Sequence, residues 1–163
     1  MIFQHMSPEE SIRNNEREQS LQKYINYKFT DPTIITRALT WRSYAEEHKM
    51  PNKCHMNGLA TLGDSIINLL VIQSIIKSGE IDKGKITSSK ITRVKNSRLK
   101  KIAEKHDLQH FIYWDDGAIN QKIWENSNKV LATCIESIIG AVFLDSERLE
   151  IADKIFQFFE LVK

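Results

Sequence analysis

The chain has 163 residues, enough for one hydrophobic core and too few for two ordinary domains. It is 41% hydrophobic and 27% charged, with six glycines and three prolines, which excludes a disordered or fibrous polypeptide. A formal net charge of +2 selects no partner, and two cysteines, Cys54 and Cys134, cannot build a disulfide framework, so a reducing compartment is expected.

Met1 to Glu10 lacks a positive region followed by an apolar stretch and does not read as a secretory signal. No segment shows the roughly 20 consecutive apolar residues of a membrane span, so a cytoplasmic location without a membrane is expected. Ser7-Pro8-Glu9-Glu10 combines a capping serine, a proline at the first helical position and an acid three residues on, and predicts a helix start. Asp31-Pro32 repeats the signal and opens a second helix with Ile34, Ile35, Ala38 and Leu39 on one side. A polar loop over about 47–56 separates it from a helix over Leu59–Ile76 that is apolar on almost every side. Thr87–Val94 and Asn96–Lys105 read as two basic helices, the second capped by Asn96, and residues 112–125 read as loop. Lys129–Leu144 is another mostly apolar helix, and Glu147–Leu161 is an amphipathic closing helix. No stretch alternates convincingly, so the expected class is an all-α helical bundle.

Charge is distributed unevenly along this series. From Lys77 to Lys105 ten basic residues stand against Glu80, Asp82 and Glu104, a surplus of seven. Such a surplus either forms a solvated helix surface or attracts a polyanion by releasing its condensed counterions.

Each of the two apolar helices also carries an isolated carboxylate, Asp64 in the first and Glu136 in the second. Burying an ionised carboxylate is costly unless a cation, a metal or several donors compensate. At 100° per residue Asp64 shares a strip with Asn57, Thr61 and Asn68, and Glu136 shares one with Lys129, Thr133 and Gly140. Both strips are polar or small, so the two helices could face one another across a cleft and offer both acids to one hard cation. The alternative is that the acids hydrogen-bond at helix edges or pair with Lys129. His48, Cys54 and His55 lack a second pair at zinc spacing, and His106 and His110 fall at the end of a basic helix, where a cap or surface role is usual. Trp41, Trp114 and Trp124 read as core or rim aromatics.

Leu59-Ala60-Thr61-Leu62-Gly63-Asp64-Ser65 resembles the signature helix of the ribonuclease III family, and Leu131 to Asp145 resembles its second acidic helix. Tyr27 to Asp31 with Ala38 to Ala45 is similar to the opening helices of that family, with Trp41 where histidine is usual. Val94-Lys95-Asn96-Ser97-Arg98-Leu99 is similar to the segment between the acidic helices. The resemblance runs from about Leu21 onward in the family's order. It implies a catalytic domain over residues 21–163, an N-terminal helical extension over residues 1–20, and no double-stranded RNA-binding domain. The standard family carries two acids per motif, whereas this chain has Ala60 and Thr133 at two of those four positions and Asn57 where an acid usually precedes the signature. The Mini-III branch typically has alanine and threonine at the same two places and keeps the counterparts of Asp64 and Glu136.

The resemblance implies an endoribonuclease that cuts double-stranded RNA as a homodimer and leaves 5′ phosphates. Asp64 and Glu136 would be both the catalytic residues and the ligands of Mg²⁺, with Mn²⁺ as a substitute. Asn57, Ala60, Thr61 and Thr133 would line the site, and Thr61 replaces an aromatic residue that standard members use in the dimer contact. Arg93, Lys95, Asn96, Arg98 and Lys129 are the candidates for contacts to RNA phosphate or sugar. Substrate choice would then come from the cleft itself or from a separate RNA-binding protein. Two alternatives remain: a catalytically silent relative that binds structured RNA or a ribonucleoprotein, which Ala60 and Thr133 favour, and a helical interaction module.

Overall fold

Side-chain capping decides where half of the α-helices among the described residues begin. The computed structural model describes residues 6–51 and 53–161, so expectations for residues 1–5, for residue 52 of the 47–56 loop and for residues 162–163 lie outside the described residues. Helix α1 (Pro8–Tyr24) starts where Ser7 Oγ accepts from Glu10 N at 3.1 Å, and α2 (Pro32–Leu39) where Asp31 Oδ1 accepts from Thr33 N at 2.8 Å. Helix α3 (Arg42–Glu47) follows, then α4 (Asn57–Lys77), α5 (Lys83–Val94), α6 (Asn96–Lys105) and a 3₁₀ turn (Leu108–His110). The chain continues through α7 (Asp116–Gln121), α8 (Ile123–Asn126), α9 (Asn128–Ser146) and α10 (Leu149–Phe158).

Four expectations need correction. Residues 112–125 are not a loop: Asp115 Oδ1 accepts from Ala118 N and starts α7, and left-handed Lys122 separates it from the single turn of α8. The expected second helix is two helices, because Leu39 O accepts from Tyr113 N (2.8 Å) and Trp41 N donates to Tyr113 O (3.2 Å), pulling Thr40 and Trp41 into an extended bridge. Lys95, not Asn96, holds the capping position of α6, without a side-chain hydrogen bond. Finally, α4 is long and apolar enough by composition to cross a membrane, although only 44% of its apolar window is buried in the fold. It serves the core on one side and leaves Leu69 and Ile76 uncovered on another.

Helices α4 and α9 form the centre. Helices α2, α6 and α10 pack on α9, and α5 packs on α4. The central pair touches backbone to backbone: a Cβ added to Gly63 would lie 1.7 Å from Glu136 O, and one added to Gly140 would lie 2.0 Å from Leu59 O. Glycine at both positions is therefore what allows the helices to cross this closely, and the crossing places Asp64 and Glu136 beside it. At the far end of α9, Asp145 accepts from Tyr27 Oη (2.6 Å), Thr30 N (2.9 Å) and Asp31 N (2.9 Å), tying the start of α2 to the core. Burial pushes the Asp145 carboxyl up, but these bonds outweigh it and hold it below its ordinary range.

Helix α1, whose last turns extend past residue 20, docks through a polar ladder. Glu10 Oε1 accepts from Tyr44 Oη (2.7 Å), Asn14 Nδ2 donates to Tyr44 Oη (2.9 Å), and Glu18 Oε1 accepts from Thr36 Oγ1 (2.6 Å) and Tyr113 Oη (2.7 Å). The four-residue spacing puts Glu10, Asn14 and Glu18 on one face, so this helix is held largely by polar contacts, although the buried Asn14 Oδ1 accepts no hydrogen bond among the described residues. Glu18→Ala removes the short charged hydrogen bond of the fully buried Tyr113 hydroxyl, leaving it the Asn14 carbonyl at 3.1 Å, and also removes the acceptor of Thr36 Oγ1. The expected loss is about 2–3 kcal/mol, read as a melting temperature lower by several degrees, against less than about 0.5 kcal/mol for exposed Glu16→Ala.

Candidate functional site

Beside the glycine crossing, α4 and the start of α9 open a cleft of about 730 Å³. Asp64 and Glu136 both line it, as do Asn57, Ala60, Thr61, Thr133 and Lys129. Three residues of each strip expected from helical periodicity, Asn57, Thr61 and Asp64 on one helix and Lys129, Thr133 and Glu136 on the other, thus share one groove, while Asn68 and Gly140 lie outside its lining. Asp64 is exposed, and its Oδ1 accepts from Asn68 Nδ2 at 3.0 Å while the same amide nitrogen reaches the Asp64 carbonyl at 2.7 Å, which fixes the carboxylate. Glu136 is half-buried in the cleft floor. Burial and, after it, the negative charge of Asp64 push its carboxyl up to about 7, against the opposing pull of Lys129. A half-buried glutamate raised in part by the aspartate across the groove marks a place short of positive charge.

The other polar groups are largely committed to their own helices. Thr61 Oγ1 donates to Asn57 O (3.1 Å) and Thr133 Oγ1 to Lys129 O (2.9 Å), so both hydroxyl protons are spent within the helices and neither side chain brings a negative charge, and Ala60 adds a methyl group to the lining. Among the described residues no group of three or more His, Cys, Asp or Glu side chains could enclose a metal ion. The side of the cleft formed by the two central helices therefore offers two carboxylates and open space. That donor set suits a hard, oxygen-seeking divalent cation that retains water, and does not suit zinc.

The opposite wall comes from the bridge and α3, which sequence reasoning did not assign to the site: Trp41, Arg42, Ser43 and Glu46 line the cleft, as does Ser127 at its edge. Arg42 pairs with Glu46 at 2.8 Å on the exposed rim, and Ser43 Oγ donates to Asp115. The long-range bridge to Tyr113 brings this wall into place, and no local pattern announces it. Ser127, which the sequence reading also passed over, does carry a local signal as the cap of α9: its Oγ accepts from Lys129 N at 3.2 Å.

The α5–α6 junction does not belong to the cleft. Arg93, Lys95, Asn96 and Arg98 are absent from its lining. Arg98 Nη1 donates to Arg93 O (2.7 Å) and Leu161 O (3.1 Å), fastening the C-terminal residues to the bundle, and Arg93 Nη1 donates to Ser74 Oγ (3.3 Å). Lys95 and Asn96 stand exposed at the junction itself.

Residues 31–160 match the family described as Ribonuclease-III-like. The chain belongs to that family. Among its curated relatives, Ribonuclease 3 of Desulfotalea psychrophila is 30% identical over 148 residues and Ribonuclease 3 of Hahella chejuensis is 29% identical over 143. These alignments take in 90% and 87% of this chain but only 61% and 60% of those relatives, so the chain spans about three-fifths of their length. Two solved structures of the nuclease domain of ribonuclease III from Campylobacter jejuni share the fold. One has a TM-score of 0.75 at 24% identity, covering 88% of this chain and 94% of that one. The other has a TM-score of 0.71 at 25% identity, covering 86% and 91%. The all-α bundle is therefore that of a ribonuclease III nuclease domain.

Proposed function

We propose that this chain is a divalent-cation-dependent endoribonuclease that cuts double-stranded RNA as a homodimer. The observation that carries this reading is the shared cleft, in which the Gly63–Gly140 crossing sets an exposed aspartate and a half-buried glutamate facing one space. Asp64 and Glu136 would hold Mg²⁺ or Mn²⁺; when bound, such an ion polarises a phosphodiester and lowers the pKa of a bound water. The chain's own groups do the rest. Asn68 keeps Asp64 oriented, Lys129 offers its ammonium to a phosphate at the mouth of the groove, and Arg42 adds a second cation on the opposite rim. Hydrolysis in this setting breaks the P–O3′ bond and leaves a 5′ phosphate.

A surface on the central helix supports the homodimer. Leu69 and Ile76 of α4 are 50% and 53% exposed, and Ile91 of the adjoining α5 is 57% exposed, although α4 lies at the heart of the fold. One of the Campylobacter jejuni structures concerns flexibility in a region involved in dimer formation of that nuclease domain. Pairing two copies here would cover these side chains.

The test is incubation of the purified protein with a long RNA duplex in Mg²⁺, Mn²⁺ or EDTA. Cation-dependent cutting to 5′-phosphorylated fragments is expected. Tight binding without cutting in either metal would favour the second reading, a silent relative that retains the RNA surface, for which Ala60 and Thr133 speak.

A further inference from the structure

Trp41, on the wall of the cleft, has no task in the chemistry above. It is held with unusual firmness: its backbone N–H donates to Tyr113 O at 3.2 Å, and Thr40 beside it pairs with Tyr113. Its ring packs on Trp114, with centroids 5.3 Å apart and planes at 52°, and Trp114 is backed by Trp124 at 5.1 Å. The indole nitrogens differ in their partners. Trp114 Nε1 donates to Gln109 O at 2.8 Å, whereas Trp41 Nε1 meets no acceptor among the described residues and is not enclosed. An indole nitrogen is a donor only, and in a largely buried ring it normally finds a partner. Trp41 thus lines the cleft as a half-buried ring with one donor left over.

We propose that Trp41 donates this N–H to a ribose 2′-hydroxyl of the strand lying in the cleft, and so helps the site to distinguish RNA from DNA. The inference rests on the reading of the cleft as a duplex-RNA site. The charge of Lys129 suits phosphate, while a neutral donor on the facing wall suits a neutral hydroxyl. Duplex RNA is read largely through 2′-hydroxyl and phosphate contacts, so a fixed donor at this place discriminates without base contacts. Because the ring is already immobilised, little ordering entropy is lost when the contact forms.

The experiment measures binding of a labelled RNA duplex in Ca²⁺, to suppress cutting, against a series of duplexes each carrying one 2′-deoxynucleotide. For the unsubstituted chain, one position is expected to weaken binding roughly three- to tenfold when its hydroxyl is removed. Trp41→Phe keeps an aromatic ring against Trp114 and deletes the donor. It should bind the all-RNA duplex more weakly by the same factor and no longer feel that deoxy substitution. Equal deoxy penalties in both proteins would overturn the assignment. So would the absence of any position-specific penalty in the unsubstituted chain, whatever the stability of the variant. If the unsubstituted chain binds no duplex RNA at all, the reading of the cleft as an RNA site fails first and takes this inference with it.

Discussion

Gly63→Ala and Gly140→Ala are each expected to destabilise the protein by at least about 3 kcal/mol, lowering its melting temperature by roughly 10 °C. The basis is steric. A Cβ at residue 63 would stand 1.7 Å from the Glu136 carbonyl oxygen and one at residue 140 would stand 2.0 Å from that of Leu59. These neighbours are helix backbone and cannot rotate away, so the helices must separate, and a buried interface that separates loses contacts along its whole length. Alanine is the better helix former by about 1 kcal/mol, so propensity alone predicts the opposite sign. The two substitutions should also be non-additive. Once either methyl group has forced the helices apart, the second meets less resistance, and the double variant should lose clearly less than the sum of the singles. Thermal melts of the three variants followed by circular dichroism settle the matter. Melting temperatures equal to or above that of the unsubstituted chain would mean that the helices do not cross at these residues.

The glycine pair also illustrates which parts of this molecule could be read in advance. Features written within a few consecutive residues were legible. Ser7 with Glu10 and Asp31 with Pro32 announce helix starts, and the four-residue recurrence around Asp64 and Glu136 places each acid on a polar strip. Features that depend on partners far along the chain were not. The break between α2 and α3 is imposed by Tyr113, more than seventy residues away, and it carries Trp41 and Arg42 into the cleft wall. Short α7 and α8 escaped notice because six and four residues offer too few repeats for an apolar period to show, even though Asp115 caps the first. Arg98 reads as one more cation in a basic run, yet its guanidinium is bonded to two backbone carbonyls. The run therefore contains both fasteners and exposed charge, and composition cannot sort them.

Glu136→Gln should move activity and stability in opposite directions. With Asp64 and Glu136 as the proposed ligands of the divalent ion, loss of either carboxylate, by Asp64→Asn or Glu136→Gln, should reduce RNA cleavage by on the order of 10³-fold or more, equivalent to several kcal/mol of transition-state stabilisation. In EDTA the glutamate is instead a liability. Its carboxyl is raised to about 7 by burial and by Asp64, whereas an unfolded chain would ionise it near its ordinary value. A folded-state value above the unfolded one means that the stabilising contribution is complete below about pH 4.3 and is lost as pH rises through the folded value. Above pH 7 the metal-free protein thus carries an ionised group that it would rather hold neutral. Glutamine has the same shape and no charge to lose. After allowance for solvent screening of a half-buried side chain, the variant should exceed the unsubstituted chain by about 1–2 kcal/mol at pH 8 and by little at pH 5. Melting temperatures of both proteins across this range in EDTA measure the difference directly. A difference that does not grow with pH would remove the electrostatic tension between Asp64 and Glu136 and, with it, the main reason for a cation to settle between them.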